Sequence, residues 1–156
     1  MTLNNKQLTL LVLLRVVIGW HFLYEGLTKW LSPNWTSIGY LIDSKGFLAG
    51  FFSWMASSPA VVNAVDIMNI YGLMAIGLGL ITGFLCRPAL IGGMTMLAFY
   101  YLSHPPLLQC NYMMPSEGSY YLVNKNLIEL ITMAVLYIFP TSRIVGIDRI
   151  VFGKEE

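Results

Sequence analysis

Charged residues are scarce in this sequence. Only 11% of its 156 residues are Asp, Glu, Lys or Arg, whereas a soluble domain carries about 25%. Hydrophobic residues make up 56%, so the chain has too few charges to cover a surface that faces water. This composition excludes a soluble globular domain, a disordered segment and a nucleic-acid binder with a basic face. An integral membrane protein remains, in contact with a lipid bilayer.

Cysteine is scarce as well, and the motifs of several enzyme classes are absent. The two cysteines, Cys86 and Cys110, form no Cys-x-x-Cys pair, which argues against thiol–disulfide exchange. No Cys/His cluster suggests a zinc or iron–sulfur site. The sequence also lacks a phosphate-binding loop, a dinucleotide-binding glycine motif and a nucleophile elbow.

Long apolar runs are what the sequence does contain. A membrane-spanning helix needs about 20 mostly apolar residues, and the chain has room for about four. The predicted spans cover about residues 8–31, 60–85, 88–103 and 126–139. Glycines in the first two spans, among them Gly19, Gly26 and Gly77, predict close helix packing. We therefore predict an all-α integral membrane protein, a single domain over 1–156 built as a bundle of four transmembrane helices.

Two connections between these spans are long. The first, residues 32–58, is too aromatic for a solvated loop, and Phe47, Phe51 and Trp54 have helical spacing. This pattern predicts one or two short helices at the membrane interface. The second connection, residues 104–123, contains several prolines and is predicted to be irregular.

Lys and Arg near the span ends predict the orientation. The side that holds both termini carries five of them, namely Lys6, Arg87, Arg143, Arg149 and Lys154. The other side carries three, namely Lys29, Lys45 and Lys125. The positive-inside rule therefore places both termini in the cytoplasm, with the aromatic connections outside a bacterial inner membrane. In this orientation Cys86 and Cys110 lie on opposite sides and cannot form one disulfide.

The first span carries an unusual stripe of ionisable groups. Arg15, His21, Glu25 and Lys29 share about one third of the helix circumference. An ionisable group inside a bilayer costs roughly 2.5 to 3.5 kcal/mol, so such groups are usually paired and functional. His21–Glu25 and Glu25–Lys29 are both i,i+4 neighbours that can pair. Arg15 lies deep in the cytoplasmic half and needs a buried partner or a long reach to the headgroups.

Polar groups from all four spans reach one level of the outer leaflet. They are Glu25, Lys29, Asp66, Asn69, His104, Asn126 and Glu129. We predict a polar site there, with Glu25, Asp66, His104 and Glu129 as catalytic proton carriers. The predicted substrate-binding residues are Arg15, His21, Lys29, Asn69 and Asn126. Alternatively, Glu25–Lys29 and Lys125–Glu129 are only ion pairs at the interface. His21 and His104 differ in depth by roughly 15 Å, so one haem iron is not expected to bind both.

The residues that carry these features also resemble a known family. Arg15, Gly19, Gly26 and Lys29 resemble the first-helix motif of the DoxX-like membrane proteins, and Asn126 with Glu129 match the last helix. Arg87-Pro88 and the closing Gly146-Ile147-Asp148 look closest to the DoxD-type branch. That branch is described as the small subunit of thiosulfate:quinone oxidoreductase. The resemblance implies a four-helix membrane bundle and a place in a membrane redox complex.

Three functions remain open from the sequence. The leading hypothesis is a membrane subunit of a redox complex, an oxidoreductase subunit that binds quinone or a small anionic substrate. In that case the partner is a periplasmic or membrane redox subunit, and quinone is the expected cofactor. The second is a non-enzymatic anchor for a periplasmic partner. The third is a small-molecule or lipid transporter, although four spans without a repeat offer no alternating-access halves unless the protein forms a homo-oligomer.

Overall fold

The computed structural model describes residues 4–107, 112–113 and 121–153, and all regular elements of these residues are helical. The α-helices are α1 (Asn5–Leu31), α2 (Ile38–Ile42), α3 (Ala49–Ser57), α4 (Pro59–Ile67), α5 (Leu73–Thr82), α6 (Cys86–Ser103), α7 (Lys125–Ile138) and α8 (Asp148–Phe152). A π-helical turn, Met68–Gly72, joins α4 to α5, and a 3₁₀ turn, Thr141–Arg143, precedes α8. Cys110, Lys154 and most of the second long connection lie outside the described residues.

Two helical segments of the described chain are long and apolar enough to cross a membrane. They are α1 and the continuous helix Pro59–Thr82 that α4, the π turn and α5 form together. Helix α6 has 18 residues and α7 has 14. Large apolar side chains on all of these helices are at least half exposed, for example Val17, Leu78, Ile91 and Ile131. A surface of this kind is suited to contact with lipid.

Helices α1, α5, α6 and α7 pack around one apolar cluster. Phe22 of α1, Leu80 of α5, Leu90 of α6 and Met133 of α7 are all at most 2% exposed and belong to this cluster. Helix α1 lies along α5, α5 contacts α6, α6 contacts α7, and α7 also touches α1. We call the two ends of this helix assembly the Lys29 end and the Arg15 end, after the residues of α1 that lie there.

Small residues allow α1 and α5 to touch through their backbones. A Cβ atom added to Gly77 would lie 2.5 Å from Leu23 N and 2.7 Å from Gly19 O. One added to Gly26 would lie 2.6 Å from Met74 Cγ. Only glycine fits at such distances, so the close packing predicted from these glycines is confirmed.

The ends of the helices differ from the predicted span ends by no more than three residues. Helix α1 begins at Asn5, earlier than predicted, because Asn4 and Gln7 form a capping box around its first turn. Helix α5 ends at Thr82, earlier than predicted, because Gly83 adopts the left-handed conformation with φ 68°. These boundaries are set by local caps that the apolar pattern alone does not reveal.

The C-terminal segment closes the Arg15 end. Arg15 is 2% exposed and donates hydrogen bonds to Thr141 Oγ1 at 3.0 Å and to Val145 O at 2.8 Å. Of the two alternatives that the depth of Arg15 allowed, a buried partner and a long reach to the headgroups, the structure shows the buried partner. It is supplied by the chain that follows α7.

The same segment also starts α6. The buried carboxylate of Asp148 accepts hydrogen bonds from Leu85 N at 2.8 Å and from Cys86 N at 3.1 Å. A carboxylate at this position satisfies amide groups that have no partner within the helix. This cap explains why α6 begins at Cys86, two residues before the predicted span.

Candidate functional site

A polar cavity of about 90 Å³ lies at the Lys29 end of the helices. Three apolar side chains line it, those of Phe22, Leu73 and Leu97. The other lining residues are His21, Glu25, Lys29, Tyr100, Lys125, Asn126 and Glu129. Helices α1, α5, α6 and α7 all contribute, so the cavity exists only when the four helices are packed together. We call it the polar cavity.

The ammonium group of Lys29 is held in place at the wall of the polar cavity. Its Nζ atom lies 2.6 Å from Glu25 Oε2 and 3.3 Å from Glu25 O. The ring of Trp35, which follows α1, lies 5.7 Å from the same nitrogen and provides a cation–π contact. The predicted pairing of Glu25 with Lys29 along one face of α1 is confirmed.

A second polar pair crosses the cavity between helices. His21 Nε2 of α1 lies 3.5 Å from Glu129 Oε1 of α7. The sequence allowed His21 to pair with Glu25 on its own helix, four residues away. The packing of α7 against α1 instead brings His21 to a carboxylate more than 100 positions later, which helical spacing alone cannot predict.

The π-helical turn places one further polar contact beside the cavity. Asn69 lies in this turn, donates to Val65 O at 2.9 Å, and accepts a hydrogen bond from the hydroxyl of Tyr100. Because a π turn alters the direction of the side chains that follow it, such turns often occur at functional sites. The contact orients Tyr100 at the cavity wall.

Comparison with known families is decisive for the class of protein. The family model described as DoxX matches residues 10–105, a stretch that begins within α1 and ends just after α6. This chain belongs to the DoxX family. DoxX proteins are membrane proteins, so the membrane class that the composition predicts is confirmed. No curated protein and no solved structure matches the chain significantly.

Five of the predicted site residues of this DoxX protein line the polar cavity. They are His21, Glu25, Lys29, Asn126 and Glu129. A sixth, Asn69, contacts the cavity residue Tyr100. The DoxX match covers the cavity residues of α1 and α6 but not those of α7. The chemical roles of all these residues stay predictions.

The structure places three other predicted site residues elsewhere in the DoxX fold. Arg15 lies at the opposite end of the helices. Asp66 accepts a hydrogen bond from Ser37 N at 2.7 Å and so fixes the start of α2. The ring of His104 stacks on the ring of Tyr40 in α2, with ring centroids 3.8 Å apart. Asp66 and His104 were expected at the same depth as the cavity residues, but they contact α2 instead, because depth along a helix does not give the direction in which a side chain faces.

Sequence reasoning missed two polar residues of this DoxX protein, Tyr100 and Asp43, that the structure places in buried or cavity-lining positions. Tyr100 lines the cavity, whereas its neighbour Tyr101 donates to Leu122 O, and nothing in the local sequence distinguishes the two tyrosines. Asp43 is 1% exposed. A signal for Asp43 was present, since every carboxylate in so apolar a chain is unusual.

Proposed function

We propose that this DoxX protein is an integral membrane subunit of a redox complex and binds the head group of a quinone in the polar cavity. The charge balance of the cavity carries the proposal. The two positive charges of Lys29 and Lys125 balance the two negative charges of Glu25 and Glu129, so the formal net charge of the lining is zero when His21 is neutral. A balanced site does not attract a free anion through net charge. Separated donors and acceptors suit a neutral molecule with carbonyl oxygens.

The size of the cavity supports a ligand that leaves most of its bulk outside. Sites for drug-sized ligands measure roughly 300 to 1,000 Å³, and an apolar cavity of about 150 Å³ holds benzene. A volume of about 90 Å³ therefore admits the carbonyl edge of a ring rather than a whole lipid-soluble molecule. The tail of a quinone would stay in the lipid, beside the exposed apolar faces of the helices.

In this proposal each polar pair has a different task. Lys29, held by Glu25, donates a hydrogen bond to a quinone oxygen. The pair of His21 and Glu129 exchanges the protons that accompany reduction, because an imidazole and a carboxylate that lie 3.5 Å apart at the cavity wall can pass a proton between them. Electrons come from a redox partner subunit, so the protein acts as an oxidoreductase only within the complex.

The proposal includes a topology. Four helices, α1, Pro59–Thr82, α6 and α7, cross a bacterial inner membrane with both termini in the cytoplasm. The distribution of Lys and Arg and the apolar outer faces of all four helices support this arrangement. The shorter α6 and α7 measure about 27 and 21 Å, and a locally thin bilayer accommodates them. The polar cavity then lies in the outer leaflet.

Titration of a short-chain quinone into the protein in lipid nanodiscs tests the proposal. Glu129→Gln keeps the shape of the side chain but removes its charge, and we expect binding about tenfold weaker. Lys29→Met should weaken binding to a similar extent, since it removes the donor. Lys6→Gln, on the exposed first turn of the same helix, should bind like the wild type.

Two results of this titration would contradict the proposal. One is a wild-type protein that binds no quinone. The other is equal affinity in Glu129→Gln, Lys29→Met and the control. If a small oxyanion such as thiosulfate binds in place of quinone, and Lys29→Met weakens its binding whereas Glu129→Gln does not, the cavity serves the anionic substrate instead.

One observation favours a second candidate, the membrane anchor. Phe47 is 83% exposed and Trp54 is 62% exposed in the first long connection. In this case a periplasmic partner docks on that connection and carries the chemistry. Crosslinking from Phe47 to such a partner, together with complex activity that survives Glu129→Gln, would favour the anchor over the quinone site.

A further inference from the structure

A second polar cluster joins the two long connections of the chain. The ring of His104, directly after α6, stacks on the ring of Tyr40 in α2 with centroids 3.8 Å apart. On the other side the ring of Tyr112 lies 4.6 Å from the imidazole. His104 is therefore enclosed between aromatic residues from two segments that are far apart in the sequence.

A buried carboxylate completes this cluster. Asp43 follows α2, is 1% exposed, and accepts a hydrogen bond from Met113 N at 2.8 Å. The same Oδ2 atom lies 3.9 Å from His104 Nε2, and Oδ1 lies 3.8 Å from Lys45 Nζ. His104 Nε2 is buried and has no hydrogen-bond partner, whereas Nδ1 lies 3.1 Å from Ser103 Oγ. Asp43 thus contacts both connections at once.

Backbone contacts fasten the same two segments. Ser103 O, at the end of α6, accepts hydrogen bonds from Lys45 N at 3.0 Å and from Ser44 Oγ at 2.9 Å. Tyr112 donates to Pro105 O at 2.6 Å, which holds its ring beside His104. His104, Asp43 and Tyr112 thus belong to one cluster, so a charge added to the imidazole acts directly on two groups that hold the segments together.

We propose that His104 and Asp43 form a proton-operated clasp, in which protonation of His104 releases Met113 from Asp43 at the end of α2 and the ring of Tyr112 from the imidazole. The titratable and charged groups that face His104 among the described residues are Tyr40, Asp43, Lys45 and Tyr112. Two aromatic rings and the surrounding burial deprive an imidazolium of water. Asp43 attracts the added charge and Lys45 repels it.

The direction of the switch follows from these groups. Burial lowers the pKa of His104, Asp43 opposes this effect, and Lys45 adds to it, so the pKa lies below its usual value of about 6.5. The closed clasp therefore favours the neutral imidazole. Its stability is complete above the usual pKa and is lost as the pH falls through the lowered pKa of the closed state. Burial also raises the pKa of Tyr40, which stays a neutral hydroxyl throughout.

Two measurements on the full chain test the clasp. The protein has only two histidines, so NMR of ring-labelled histidine gives two titrating signals, and His21→Gln assigns them. Hydrogen exchange at the Met113 amide reports opening, once the intrinsic effect of pH is corrected. We expect the protection factor of the Met113 amide to fall between pH 7.5 and 5. The fall should be tenfold for each unit by which the pKa of His104 in the closed clasp lies below its pKa in the open clasp.

Two variants distinguish opening of the clasp from a general loss of structure at low pH. His104→Gln should abolish the fall in protection with pH. Lys45→Gln changes a partly exposed residue, raises the pKa of His104, and should make the fall smaller. The clasp would be refuted if His104→Gln showed the same fall as the wild type, or if His104 titrated above 6.5. Neither readout involves quinone, so this test is independent of the proposed function.

Discussion

Replacing Gly77 with alanine is expected to destabilise the protein by about 3 kcal/mol. The new Cβ would lie 2.5 Å from Leu23 N and 2.7 Å from Gly19 O, and no rotation of a side chain can move these backbone atoms of α1. Helices α1 and α5 would have to separate, which would loosen the apolar cluster to which Phe22 of α1 and Leu80 of α5 belong. The change is measured as a lower unfolding free energy in detergent micelles.

Gly92→Ala is the matched control for this prediction. The atom nearest to its new Cβ, Ile76 Cδ1, lies at 3.6 Å, which is an ordinary contact. Alanine favours the helix over glycine by about 1 kcal/mol, so this variant should be unchanged or slightly more stable. Equal losses in Gly77→Ala and Gly92→Ala would show that the close approach of α1 and α5 does not limit stability.

Replacing Arg15 with alanine is the second change with a large expected effect, again a loss of about 3 kcal/mol in the free energy of unfolding. The guanidinium donates to Thr141 Oγ1 and Val145 O, and a hydrogen bond from a charged group contributes about 1.5 to 3 kcal/mol. Without it the C-terminal segment loses its hold on the Arg15 end. Unfolding in detergent and protease cleavage after α7 both measure this loss.

Lys6→Ala is the control for the Arg15 variant, because Lys6 lies on the same helix but is exposed. Its effect should stay within about 0.5 kcal/mol. If Arg15→Ala were as mild as Lys6→Ala, the buried contacts of Arg15 would be incidental. In that case the predicted substrate-binding role would be the better explanation for an arginine at this position.

The sequence predicted the helices well because their signals are local. Apolar runs of sufficient length located the long helices of the described residues, and Pro59 begins α4 at the position where proline is favoured. The remaining errors at the ends come from caps, such as Asn4 at α1 and Asp148 at α6. Asp148 acts from 62 residues away on Cys86, so no local pattern predicts its effect.

The candidate site was predicted only in part, for a related reason. Helical spacing gave the pair of Glu25 and Lys29, which lie on one face of α1. It could not give the contact of His21 with Glu129, because that contact depends on how α7 packs against α1. The π turn at Met68–Gly72 has no signature in the apolar pattern. Asn69 lies in this turn, so its contact with the cavity residue Tyr100 could not be predicted from the pattern either.

Photoaffinity labelling tests the central proposal, quinone binding in the polar cavity, most directly. A photoreactive quinone analogue is bound to the protein in lipid nanodiscs, and the labelled residues are located by mass spectrometry. We predict labels on residues that line the cavity in α1, α6 and α7, and their loss when unmodified quinone is added in excess. Labels confined to the exposed apolar faces, for example at Val17 and Ile131, and unaffected by that competition would contradict the proposal.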